Sequence, residues 1–177
     1  MVAAAAALLA GAGIATQPAF QASKGLHGST LFTLSLPVSR LRLLSVRAGL
    51  GWSLVIAFVV ARCTALWFDF PTETLSTMLQ QAVDLVICST GLYAFPTLFA
   101  TFLDEQWRYF GSMSMMFGLR YLFTQPVFPP SLNLMRAMGE DSPIVSHSMP
   151  WAAMAFSLGL AAVLFYAALK IVQRREY

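Results

Sequence analysis

Apolar and polar positions fall into long blocks along this chain. Leu85 to Leu103 and Trp151 to Leu169 each run 19 residues without a charged side chain. At ~1.5 Å rise per residue such a helix is about 28 Å long, close to the ~30 Å hydrocarbon core of a bilayer. Two further apolar stretches carry single charges: Gly49 to Phe68 contains Arg62, and Tyr109 to Thr124 contains Arg120 near its end. Lipid offers no partner to backbone N–H and C=O groups, so spanning segments are helices or closed barrels, and unbroken apolar runs argue against a barrel. The pattern therefore predicts an all-α, polytopic transmembrane helix bundle of four to five spans, forming one membrane domain over residues 1–177. The spans are expected at 49–68, 78–103, 109–124 and 151–170. Val2 to Ala15 is apolar but short for a span and reads as the end of a helix that begins upstream. A secretory signal peptide is the other reading of this stretch, but no Lys or Arg precedes it.

Composition agrees with the pattern: 58% of the 177 residues are hydrophobic and only 11% are charged, against roughly 25% in soluble domains. The charges that exist are placed unevenly. A basic connector over 16–47 holds Lys24, Arg40, Arg42 and Arg47, the turn after the second full span holds Arg108, and the tail holds Lys170, Arg174 and Arg175. The opposite side holds Arg136 in a Pro-rich loop over 125–150, with Arg62 and Arg120 embedded near that end of their helices. The positive-inside rule assigns the first group, and with it the C-terminus, to the cytoplasm of a multi-pass cell-membrane protein. Trp52, Trp67, Trp107 and Trp151 fall at or near span ends, where interfacial aromatics sit.

Most chemistry can be set aside on the same evidence. His27 and His147 are expected on opposite sides of the membrane, so they cannot share a site. No Gly-x-Ser-x-Gly elbow, His-Glu-x-x-His or paired intramembrane carboxylate occurs. Lys24 to Thr30 contains Lys-Gly and Gly-Ser-Thr but lacks the Gly-Lys-Ser/Thr ending that grips phosphate and Mg²⁺. The net charge of +3 and the lack of a basic stripe with interleaved aromatics give no reason to expect nucleic-acid binding. Cys63 and Cys88 lie inside spans and read as packing residues, and Met113 to Met116 as packing filler. No enzyme activity, metal or cofactor is expected; membrane lipids are the expected surroundings.

The informative polar piece is Ser35 to Leu44. Pro37 can open a helix, because its missing N–H is not needed in the first turn. Arg40 and Arg47 then share a face while Arg42 points nearly opposite, which argues against a helix lying flat on the membrane surface. The plain reading is a basic stop that sets topology; the sharper one is a docking element for a cytoplasmic partner. Leu36-Pro37-Val38-Ser39-Arg40, followed by a basic, leucine-rich lead into a span, resembles the cytoplasmic loop of type-2 ABC exporter permeases. The Asp104-Glu105-Gln106-Trp107-Arg108 turn with Gly111-Ser112-Met113, and the tail Ile171 to Tyr177, are similar to later parts of such permeases. The resemblance covers roughly residues 29 to 177. It implies a permease that docks a separate cytoplasmic ATP-binding subunit through Pro37, Val38, Ser39, Arg40 and Arg42, has Asp104, Glu105 and Arg108 in a second cytoplasmic turn, and works with a second permease copy as a homo- or heterodimer. Such permeases usually carry six spans, so this chain departs from them by offering four and a partial fifth. A small non-transporting scaffold or a truncated remnant is the competing expectation.

Three embedded charges call for an account, since a charge at the centre of a span costs on the order of 3 kcal/mol by insertion scales. Arg62 and Asp84 lie on helices joined by a short turn, at what the sequence suggests are similar depths, and are expected to pair. Arg120 lies near a helix end and can snorkel to headgroups. Gly91 and Pro96 within one span are expected to allow close packing or a kink.

Overall fold

A computed structural model describes residues 5–8, 10, 40–69, 74–101, 105–138 and 149–174 of the chain. All regular structure among the described residues is helical. From Arg40 onward the elements are α1 (Arg40–Asp69), α2 (Leu75–Phe99), α3 (Glu105–Thr124), a 3₁₀ turn (Pro130–Leu132), the single-turn α4 (Leu134–Ala137) and α5 (Trp151–Arg174). Among the described residues, three stretches are long and apolar enough to cross a membrane: Ala48–Asp69 within α1, α2 and α5. The expected span over 109–124 lies within α3, but α3 does not join these three. Arg108 and Arg120, with Gly111, Gly118, Ser112 and Ser114 between them, lower its apolar character below what a free-standing span needs.

Local chemistry sets the helix boundaries. Thr74 caps α2, its Oγ1 accepting from the Thr77 backbone N–H at 3.3 Å; the helix starts three residues before the expected span. α1 starts earlier still. It runs 30 residues without a break, so residues 40–47, expected to belong to the basic connector, are its first two turns. Leu41, Leu43, Leu44 and Arg42 are all good helix formers, and nothing between Arg40 and the apolar run interrupts the backbone.

Side-chain contacts fix how the helices run. Trp52 Nε1 donates to Thr90 Oγ1 at 3.1 Å, and Tyr93 Oη donates to the Ala48 carbonyl at 2.7 Å. Falling numbers on α1 meet rising numbers on α2, so the two are antiparallel. Ser157 of α5 meets Ile87, Cys88 and Gly91 of α2, and further along both helices Tyr93 meets Phe165 with ring centroids 6.3 Å apart. α2 and α5 are therefore parallel. Phe123 at the end of α3 stacks edge-on with Phe128, which contacts Phe156 near the start of α5, so α3 runs back toward that end. The basic first turns of α1 and the basic last turn of α5 thus share one end of the bundle.

The core is built around α2, which packs most extensively against α5 and then against α1. Tyr93, Leu85 and Leu92 are its largest fully buried side chains. Val55, Val59 and Cys63 form the inward stripe of α1, spaced four residues apart on one face. The helical residues 5–8 also reach the core, where Ala7 and Leu8 are buried. Meanwhile Leu50, Leu54, Val60, Phe68, Leu79, Phe117, Leu158, Val163 and Tyr166 are all exposed. Apolar surface on that scale would drive aggregation in water and is the expected outer face in lipid.

The Pro-rich segment departs from a simple surface loop. Leu134, Met135 and Met138 are buried in the core, and Ser89 in the middle of α2 donates to Met138 Sδ at 3.6 Å. Asn133 makes this fold-back: its Oδ1 accepts from the Arg136 N–H at 3.1 Å and its Nδ2 donates to the Phe123 carbonyl at 3.2 Å. Short irregular backbone at this depth is tolerable because it is covered by protein. Parallel packing explains why there is room for it. Ser157 is only six residues into α5 yet sits beside Gly91, sixteen residues into α2, so α5 starts well below the start of α2 and leaves space beside it.

Candidate functional site: the polar band of the central helix

The polar ties between spanning helices concentrate on seven residues of α2, from Ile87 to Tyr93. Gly91 donates its backbone N–H to Ser157 Oγ at 2.9 Å, and the same hydroxyl donates to the Ile87 carbonyl at 2.6 Å, with the Cys88 carbonyl at 3.1 Å as its second acceptor. Gly91 N–H and Ile87 C=O are the donor and acceptor that one i→i−4 helical bond joins. The Ser157 hydroxyl therefore bridges both ends of a rung of the neighbouring helix. Only glycine permits this approach. A Cβ at position 91 would lie 2.6 Å from Ser157 Oγ, 3.0 Å from its carbonyl oxygen and 3.1 Å from its Cα.

One turn away, Cys88 Sγ donates to Asp84 Oδ1 at 3.2 Å, and both residues are buried. An ionisable side chain inside a span is expensive and marks a candidate functional position. Its partner here is Cys88 instead of Arg62, and the helix register explains why the expected pair does not form. Trp52 meets Thr90; ten residues on from Trp52 is Arg62, and ten back from Thr90 is Gln80. Arg62 is thus level with Gln80, about four residues or ~6 Å of helical rise from Asp84. The expectation of similar depth came from counting inward from span ends, whereas the contacts shift the register by a full turn.

Two more hydroxyls of α2 are fully buried. Ser89 reaches Met138 as above, and Thr97 Oγ1 donates to the Tyr93 carbonyl at 3.0 Å. Ser112 of α3 is buried with no partner for its Oγ among the described residues. Both cysteines are free thiols, and no group of three His, Cys, Asp or Glu side chains gathers among the described residues.

The other expected site residues lie at the basic end or on α3. Arg40 and Arg42 stand in the first turn of α1, and Arg42 is exposed. Pro37, Val38, Ser39 and Asp104 lie outside the described residues. Glu105 and Arg108 begin α3, while Arg120 is exposed one turn before its end. At the end of α5, Lys170 is exposed and holds its Nζ 5.8 Å from the centre of the Tyr166 ring. Sequence reasoning singled out Gly91 and Pro96 but missed Ser157 and Met138. A lone serine in a long apolar run and a methionine in a Pro-rich loop carry no local signal of their partners.

In comparisons with known proteins, no family model, curated protein or solved structure matches this chain.

Proposed function

We propose that this chain is a membrane-embedded permease subunit of an ATP-driven exporter, with its basic end and C-terminus in the cytoplasm. The observation that carries the reading is the unbroken α1. Thirty residues make a helix about 45 Å long, some 15 Å more than the hydrocarbon core takes up, and the first turns, with Arg40 and Arg42, precede the apolar part that starts at Ala48. A push on those turns travels along a rigid rod into the bundle, where α1 is tied to α2 at Ala48 and Trp52. Lys170 and Arg174 at the end of α5 add positive charge at the same end, which suits an acidic face on a cytoplasmic ATP-binding subunit and follows the positive-inside rule. α3 would complete an up-down-up-down set of four spans, its less apolar face covered by a second copy.

The test is co-purification in detergent from the native membrane, with the recovered proteins assayed for an ATP-binding subunit, comparing wild type with Arg40→Glu/Arg42→Glu. Recovery that the charge reversal abolishes supports a permease docked through α1. Failure of the well-folded wild type to recover an ATPase removes this reading and leaves a non-transporting membrane scaffold. Reporter fusions after Tyr177 check sidedness independently: a reporter active only outside the cytoplasm overturns the orientation.

A further inference from the structure

We propose that α2 is a jointed helix and that Ser157 of α5 is the pin that holds the joint closed. The proposal goes beyond the permease reading and does not depend on which partner the chain serves.

Two features weaken the backbone ladder of α2 within ten residues. Pro96 has no N–H, so the Leu92 carbonyl has no i+4 donor, and a proline ring inside a helix crowds that carbonyl as well. Five residues earlier, the Gly91 N–H and Ile87 carbonyl have a competing partner in the Ser157 hydroxyl, at 2.9 and 2.6 Å. A side chain entering the i→i−4 ladder and a proline are two of the few recognised causes of a helix bend. With Ser157 in place, both groups of this rung are tied to α5 as well as to α2's own ladder. Without it the intrahelical rung still satisfies them, but the tie that holds this level of α2 against α5 is gone.

The two arms on either side of the joint are held differently. Below it, the arm from Leu92 to Phe99 is anchored by Tyr93 both to α1, through the Ala48 carbonyl, and to α5, through Phe165. Above it, the arm from Leu75 to Val86 carries Asp84, and only its last turn or so reaches the level at which α5 begins, because Ser157, six residues into α5, sits beside Gly91. Cys88 links the parts: its carbonyl accepts from Ser157 and its thiol donates to Asp84. When the pin leaves, the upper arm swings from α5, the seam at Cys88 opens, and Asp84 moves with it.

The native thiols report this directly, since both are buried. In detergent-solubilised full-length protein with Cys63→Ala, the rate at which N-ethylmaleimide alkylates Cys88 measures opening of the seam. Ser157→Ala removes both the bond that Ser157 accepts from Gly91 and the one it donates to α2, so Cys88 should react on the order of 10-fold faster. Pro96→Ala supplies the missing rung; alone it should slow Cys88 below the starting rate, and combined with Ser157→Ala it should restore that rate most of the way. In the reciprocal Cys88→Ala protein, Cys63 on α1 should be unaffected by Ser157→Ala. A Cys88 rate that Ser157→Ala leaves unchanged overturns the proposal. So does equal acceleration at Cys63, which would mean general loosening, or a Pro96→Ala that fails to slow the reaction in either background.

Discussion

Replacing Gly91 by alanine probes the close approach of α2 and α5. The new Cβ meets Ser157 at 2.6 Å from Oγ, 3.0 Å from O and 3.1 Å from Cα. The hydroxyl could turn aside at the cost of its bonds to α2, but the other two atoms are backbone, so α5 itself must move. Overpacking of this kind typically costs about 1–3 kcal/mol. Against it stands the helical preference for alanine over glycine, up to about 1 kcal/mol. Gly159 separates the two terms. It lies on α5, and a Cβ there meets nothing within 4 Å, so Gly159→Ala gains the helical term without the clash. The difference between the two variants should therefore be about 1–3 kcal/mol, with Gly91→Ala the less stable. Reversible unfolding in mixed micelles titrated with SDS, followed by tryptophan fluorescence, gives both values on one scale. If Gly91→Ala is as stable as Gly159→Ala, the α2–α5 approach is not the close contact described, and the bridging role of Ser157 falls with it.

Three further outcomes follow from the geometry. Arg62→Ala and Asp84→Ala should add within about 0.5 kcal/mol in the double variant, because the register sets them a turn apart; a coupling above about 1 kcal/mol in the same unfolding assay would show a pair that the structure does not contain. Tyr93→Phe, which removes only the bond to the Ala48 carbonyl, should cost about 0.6 kcal/mol and at most ~1.7, whereas Tyr93→Ala should cost about 3–5 kcal/mol by opening a cavity between three helices; similar costs for the two would refute the central placing of that ring. Met138→Ala should destabilise the bundle by about 2–5 kcal/mol if the short α4 segment is core, while a cost near zero would show that the Pro-rich segment lies on the surface after all.

The residues differ in how plainly they announced their roles. Trp151 to Leu169 declares itself a span because each position contributes to one sum: apolar length against bilayer thickness is a property of the segment alone. The same holds for Gly91 and Pro96, whose backbone peculiarities are intrinsic. The region over 109–124 was harder to read, because a helix with Arg108, Arg120 and several small polar residues is decided by what covers it. Pairings were not readable at all. Arg62 and Asp84 looked level because both were counted from a span end, and only the contacts of Trp52 and Tyr93 reveal a register that parts them. Ser157 and Met138 gained their roles from residues some 50 to 70 positions away in the chain. Sequence by itself determined where the long apolar helices lie, since hydrophobic burial and backbone satisfaction act locally along the chain. Tertiary structure alone decided register, the fold-back of residues 130–138 and the bridged rung of α2, because each depends on the axial offset between helices, a quantity that no single segment carries.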